Sequence, residues 1–245
     1  TYSYSPKINP RSFRWTALCE EWARLGYEVH VVTGREHNQI EYEIINGVNV
    51  YRVRGFLDTL RNWVFGTRIP QGNGNTTNRT ANRRSLTARV WLSSNMRKIV
   101  RFIHDLTWKK LYWPDAMVLW VWPALRKSHS ILKKLDFDKM VTVSHPFSDH
   151  LVGYVLHRRF PNLGWLADNG DPFAFSDGLP SNNFTLYRRI NYWIERKVLK
   201  SVNYFTVTTE ESKKIYLNKF LDGKGKIYVV PPLLNPSLAN ASSED

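Results

Sequence analysis

Lys139-Met140-Val141-Thr142-Val143, closed by Ser144-His145-Pro146, and Leu163-Gly164-Trp165-Leu166-Ala167, closed by Asp168-Asn169-Gly170-Asp171-Pro172, decide the fold. Each is a short apolar run of the kind that forms a strand buried on both faces. A helix-length interval separates them, with a helix expected from about Asp149 to Arg159, where Asp149 and His150 form its first turn. Strand, helix, strand at that spacing is a parallel βαβ unit. Both strands run out into polar clusters, and in a parallel sheet ligands collect where the strands end.

The alternation continues toward the C-terminus. A long amphipathic helix is expected over Phe184 to Ser201, then a strand Tyr204-Phe205-Thr206-Val207 and a helix opened by Thr208-Thr209-Glu210-Glu211. A last strand, Lys226 to Val230, precedes Pro231-Pro232. Upstream, Arg11 to Gly26 places Trp15, Leu18, Cys19 and Trp22 on one helical face, with Gly26 as the stop. The β-branched runs Val29 to Thr33 and Val48 to Val53 flank the turn dipeptide Asn46-Gly47. With Tyr2-Ser3-Tyr4-Ser5 as an opening strand, a second βαβ unit results. The whole predicts an α/β protein, a doubly wound, mainly parallel sheet in one Rossmann-like domain over 1–233. Residues 66–113 form an insertion, a polar loop followed by a basic amphipathic helical region; 234–245 is a tail or the start of a linker.

The 35 Lys and Arg against 21 Asp and Glu give a formal charge of +14, which favours an anionic partner: a phosphate, an anionic membrane or a nucleic acid. Between Arg83 and Lys110 basic residues, among them Arg97, Arg101, Lys109 and Lys110, alternate with apolar and aromatic ones such as Trp108. That stretch fits either a membrane surface or a helix hairpin packed within the domain. No nucleic-acid-binding signature accompanies the charge, and no nucleic acid is expected. Cys19, the single cysteine, excludes an intrachain disulfide and a multi-cysteine metal site, and is expected to be an ordinary buried thiol. No apolar run is long enough to span a bilayer. Phosphate-loop, Gly-x-Gly-x-x-Gly and Gly-x-Ser-x-Gly patterns are missing, which takes the central support from kinase, dehydrogenase and hydrolase functions.

Four loops remain as places for chemistry. In Pro6 to Arg14, Asn9, Arg11 and Arg14 lie at a helix N-terminus, where a phosphate is favoured; the alternative is that Asn9 or Ser12 caps the helix and the arginines are solvated. Thr33 to His37 ends another strand. Ser144 and His145 sit at a strand mouth, where an imidazole suits a sugar hydroxyl or a phosphate charge. Asp168 and Asp171 suit sugar hydroxyls or general base work, or else form an Asx-type turn; they lack a complete metal-ligand set.

Taken in order, these segments resemble the N-terminal domain of glycosyltransferase family 4, which has the two-domain glycosyltransferase B fold. The likeness is carried by Pro6-x-x-x-Pro10-Arg11-x-x-Arg14-Trp15 and by Leu25-Gly26-Tyr27-Glu28-Val29-His30-Val31-Val32-Thr33, with Tyr27 in the usual His place. Asn46 to Val53, Val143-Ser144-His145-Pro146, Asp168-x-x-Asp171-Pro172, Thr206 to Thr209 and Ile227 to Pro232 extend it over about residues 2–233. The resemblance implies retaining transfer of a sugar from a nucleoside diphosphate sugar to an acceptor, such as a lipid-linked glycan, without cofactor or obligatory metal. It implies His145 and Asp171 as catalytic groups, with Asn9, Arg11, Arg14, Ser144 and Asp168 on acceptor or phosphate. Arg97, Arg101, Trp108, Lys109 and Lys110 would face an anionic membrane, placing the protein in the cytoplasm at the inner face of the membrane. Family members continue into a donor-binding domain with a Glu-x7-Glu pattern, and here the chain departs from them. A fragment of a longer enzyme, inactive by itself, is therefore expected. A non-catalytic membrane- or polyanion-binding module and a nucleotide-sugar epimerase are the alternatives.

Overall fold

The computed structural model describes residues 1–36, 39–55, 111–175 and 181–232. The first helix, α1 (Pro10–Arg24), starts where its sequence says it should. Asn9 is extended (φ −155°, ψ 158°) and its side chain accepts from Ser12 N at 2.8 Å, with Pro10 in the first turn. Gly26 ends it at φ +91°, a conformation that favours glycine. The chain then enters β1 (His30–Gly34), which runs parallel to β3 (Val48–Val53). Asn46 and Gly47, at φ 47° and 84°, make the tight turn into β3 from β2 (Tyr42–Ile45), an antiparallel edge strand that the sequence pattern did not announce.

The opening segment is not a ladder strand. It does lie along β1, since Gly34 N donates to Tyr2 O at 3.1 Å and Thr33 Oγ1 to the same oxygen at 3.0 Å. On its other side Tyr2 N donates to the Asp149 carboxylate at 2.8 Å, so a side chain takes the place of a neighbouring strand's carbonyl.

Beyond residue 111 the chain forms α2 (Val121–Leu132), β4 (Lys139–Ser144), α3 (Ser148–Arg159), β5 (Gly164–Asn169), α4 (Phe184–Ser201), β6 (Tyr204–Val207), α5 (Glu210–Lys219) and β7 (Ile227–Val229). The four strands make an all-parallel sheet in the order β4-β5-β6-β7, with a helix in each connection. The protein is thus mixed α/β, with a parallel sheet flanked by helices, an arrangement compatible with a Rossmann-like fold.

Among the described residues three apolar clusters hold the layers. Cys19 and Ala23 of α1 pack with Val31, Val48 and Val50, and the neighbouring Val32 and Val53 pack with Trp120 and Ala124 on the α2 side. Under the larger sheet, Trp165, Ala167, Phe205 and Val207 meet Ile194, Val198 and Leu199 of α4. Burial pushes the Cys19 thiol up to about 11, which makes it the inert core thiol expected. At Gly153 of α3 an added Cβ would sit 2.7 Å from Thr142 Cγ2 and from the Trp165 ring, so only glycine lets α3 lie this close to the sheet. Among the described residues no helix is long and apolar enough to cross a membrane.

Candidate functional site

β4, β5 and α1 aim their ends at one place. β5 ends at Asn169, and Gly170-Asp171 turn out toward the N-terminus of α1, where Arg11 Nη2 donates to Asp171 Oδ2 at 2.8 Å. The Asp171 side chain is 64 % exposed, so both partners of this pair are within reach of a ligand. The guanidinium lies over Gly170, where an added Cβ would stand 3.4 Å from Arg11 Nη2. Thr208 Oγ1, from the loop after β6, donates to Gly170 O at 3.0 Å and fixes that turn.

His145 follows β4 directly and is half-buried, with Nδ1 3.4 Å from Ser181 Oγ. Burial lowers its pKa, the nearby Arg11 cation lowers it further, and the Asp171 carboxylate opposes both. The imidazole is therefore neutral near pH 7 and can donate one hydrogen bond and accept another. His145, Asp171 and Arg11 form one group.

Arg14 and Asp168 belong to a different layer. Both were expected to face a ligand; instead they face each other, with side chains 9 % and 5 % exposed and Arg14 Nη2 3.4 Å from Asp168 Oδ1. Asp168 Oδ1 also accepts from Thr206 Oγ1 at 2.6 Å, and Oδ2 from Trp15 Nε1 at 2.9 Å. The cause is that β5 runs two residues further than its apolar run, so Asp168 lies inside the sheet beneath α1. A buried charge needs a partner, and Arg14 supplies it. Asn9 is likewise committed through its carbonyl oxygen, to the cap of α1. Ser144 is fully buried, and its hydroxyl has no partner among the described residues.

Glu195 was not among the residues expected at the site. It lies on the buried side of α4 among Ile194, Val198 and Leu199, fully enclosed, and its two oxygens accept from Phe173 N at 2.9 Å and Ala174 N at 2.8 Å. Tyr216 Oη donates to Glu195 as well, and Asn169 Nδ2 stands 3.4 Å from the same oxygen. Burial raises the Glu195 pKa and these donors pull it back. Glu195 thereby grips the loop that carries Asp171. A carboxylate in the apolar stripe of a helix was the available signal; its partners are backbone amides, which no residue type announces.

Two more buried groups support the mouth. Asp115 Oδ2 accepts from Ser148 N at 2.8 Å and its Oδ1 from Ser148 Oγ at 2.8 Å, capping α3, whose own N-cap residue makes no such bond. His150 Nδ1 meets Thr142 Oγ1 at 2.8 Å, and Thr142 accepts from Trp165 Nε1 at 2.9 Å. Thr142 Oγ1 thus joins the indole and the imidazole, and burial pushes His150 down to about 3. Arg97, Arg101, Trp108, Lys109 and Lys110 lie outside the described residues, as does 234–245.

No protein-family model matches the chain, and no curated protein matches its sequence.

Proposed function

We propose that this chain is the acceptor-side domain of a retaining glycosyltransferase, half of a two-domain enzyme with a doubly wound sheet, whose other domain holds most of the nucleotide. The observation that carries this reading is the grouping of neutral His145, exposed Asp171 and Arg11 where β4, β5 and the N-terminus of α1 converge. Arg14 and Asp168 serve as the framework under this group and are no longer ligand contacts.

In the reaction, the acceptor oxygen bonds to the anomeric carbon as the bond from that carbon to the nucleoside diphosphate breaks. The acceptor's proton departs with the leaving diphosphate. Asp171 accepts a hydrogen bond from the acceptor hydroxyl and orients it, and His145 hydrogen-bonds a hydroxyl of the transferred sugar. Arg11, with one nitrogen on Asp171, offers its remaining N–H donors to phosphate oxygens, helped by the N-terminus of α1. The acceptor is a lipid-linked glycan, and an anionic membrane is its setting.

Two measurements test the reading. A short-chain glycosyl diphosphate lipid analogue added to the chain should shift the NMR signals of Arg11, His145 and Gly170, and Arg11→Ala should weaken its binding about tenfold, the loss of one charge-assisted contact. In protein containing both domains, His145→Ala should lower kcat on the order of 10²-fold. Signals that stay put, or unchanged kcat, would remove the assignment, and turnover of free nucleotide sugar without acceptor would favour an epimerase.

A further inference from the structure

One side of α4, with Asn191, Ile194, Glu195, Val198 and Leu199, is buried in the fold. The opposite side presents Leu186, Ile190 and Trp193, which are 59 %, 40 % and 52 % exposed. Their spacing, four residues and then three, aligns them along one stripe of the helix. Arg189, Arg196 and Lys197 are interleaved with them, and Lys197 Nζ lies 5.9 Å from the centre of the Trp193 ring. The only acid of α4 is Glu195, which points inward, so every exposed charge on the helix is positive. The stripe widens at its N-terminal end, where Tyr187 Oη donates to the carbonyl of Leu111, a side chain 61 % exposed.

We propose that this outer face of α4 seats the protein on an anionic lipid bilayer, the helix lying in the plane of the headgroups. Leu186, Ile190 and Trp193 reach the acyl boundary, and Arg189 and Lys197 beside them pair with lipid phosphates and carboxylates. Charge complementarity selects the occupant: every charge that α4 itself exposes is cationic, on a chain of net charge +14, and the cytoplasmic leaflet is anionic. The apolar stripe selects lipid over nucleic acid. A polyphosphate has no apolar layer to receive a leucine, an isoleucine and a tryptophan set between the cations. The inference stands apart from the glycosyl-transfer reading, because the same face would dock a chain of any chemistry.

The test is co-sedimentation of the chain with vesicles of phosphatidylcholine alone and with about one third phosphatidylglycerol, at low and high salt. Binding should need the anionic lipid and fall with salt. Each cation removed should weaken binding about fivefold, so the double reversal Arg189→Glu with Lys197→Glu should weaken it at least about 25-fold. All these positions are exposed, and unchanged unfolding midpoints will show that the variants fold. A second measurement labels Trp193→Cys with an environment-sensitive bimane, the single native thiol, Cys19, being buried in the core; the bimane emission should shift to the blue on anionic vesicles. Equal binding to neutral vesicles, no effect of the double reversal, or an unmoved bimane on bound vesicles would overturn the proposal. So would a reversal that spares vesicle binding but abolishes binding of a single-stranded oligonucleotide.

Discussion

Trp15 Nε1 donates to Asp168 Oδ2 at 2.9 Å, and this contact, with Arg14 on the other carboxylate oxygen, fastens α1 to β5 across the base of the candidate site. Asp168→Ala removes the acceptor for three groups and leaves the Arg14 guanidinium buried without its carboxylate. The expected cost is about 3–5 kcal/mol, against about 1–3 kcal/mol for Trp15→Phe, which strands one carboxylate oxygen. Urea unfolding of the two variants checks the order and the size.

Arg11 and Asp171 should behave oppositely. Their pair is exposed, and exposed ion pairs contribute about 0–1 kcal/mol, so Arg11→Ala should barely move the unfolding midpoint. A drop as large as that of Asp168→Ala would mean that Arg11 serves the framework.

Glu195→Gln tests the grip on the loop. One oxygen becomes an NH2 group facing a backbone N–H, so Phe173 N or Ala174 N loses its acceptor. The expected destabilisation is about 1–3 kcal/mol, with faster amide exchange at Phe173 and Ala174 than at the strand amides of β5. Protection that stays unchanged at both amides would refute the role.

The buried ionisable groups set opposing pH dependences. His150, near 3 when folded and near 6.5 when unfolded, leaves the unfolded chain binding the extra proton between those values. Its contribution is complete above pH 6.5 and is lost as pH falls; at pH 4.5 the loss is about 2–3 kcal/mol. His150→Gln should flatten the acid limb of stability against pH by that amount. Asp149, pushed up to about 7 by burial from 3.8, has the reverse sign: the folded chain holds the proton, and stability declines as pH rises from 4 to 7. Asp149→Asn should therefore gain stability at pH 8, by up to about 4 kcal/mol, and nothing at pH 3.

Much of the fold was legible because burial on both faces writes itself as uninterrupted apolar runs. β4, β6 and the full length of α4 follow from such runs and from helical spacing. β2 escaped because Tyr42-Glu43-Ile44-Ile45 is a short edge strand with half-exposed residues, and edge strands carry little apolar signal. At the site, Arg11, His145 and Asp171 were legible from their position after strands and before a helix. Asp168 was misplaced by two residues of strand length, because a strand with a buried, paired aspartate has no apolar mark there, and Arg14 on α1 was misplaced with it as the partner of that carboxylate. For Glu195 the only mark in one dimension is a carboxylate in the apolar stripe of a helix; its role is invisible there, since its partners are the amides of a loop some twenty residues upstream.

The two sides of α4 have a joint consequence. Glu195 holds the loop after β5 on the inward side, and Trp193 faces outward from the same stiff rod, roughly 27 Å long at 1.5 Å per residue. Anything that clasps the outer side thus sets the height and bearing at which Asp171 stands above it. The helix therefore fixes the site relative to whatever its outer side rests on, and under the proposed glycosyl transfer only an acceptor hydroxyl that reaches Asp171 from that side is served.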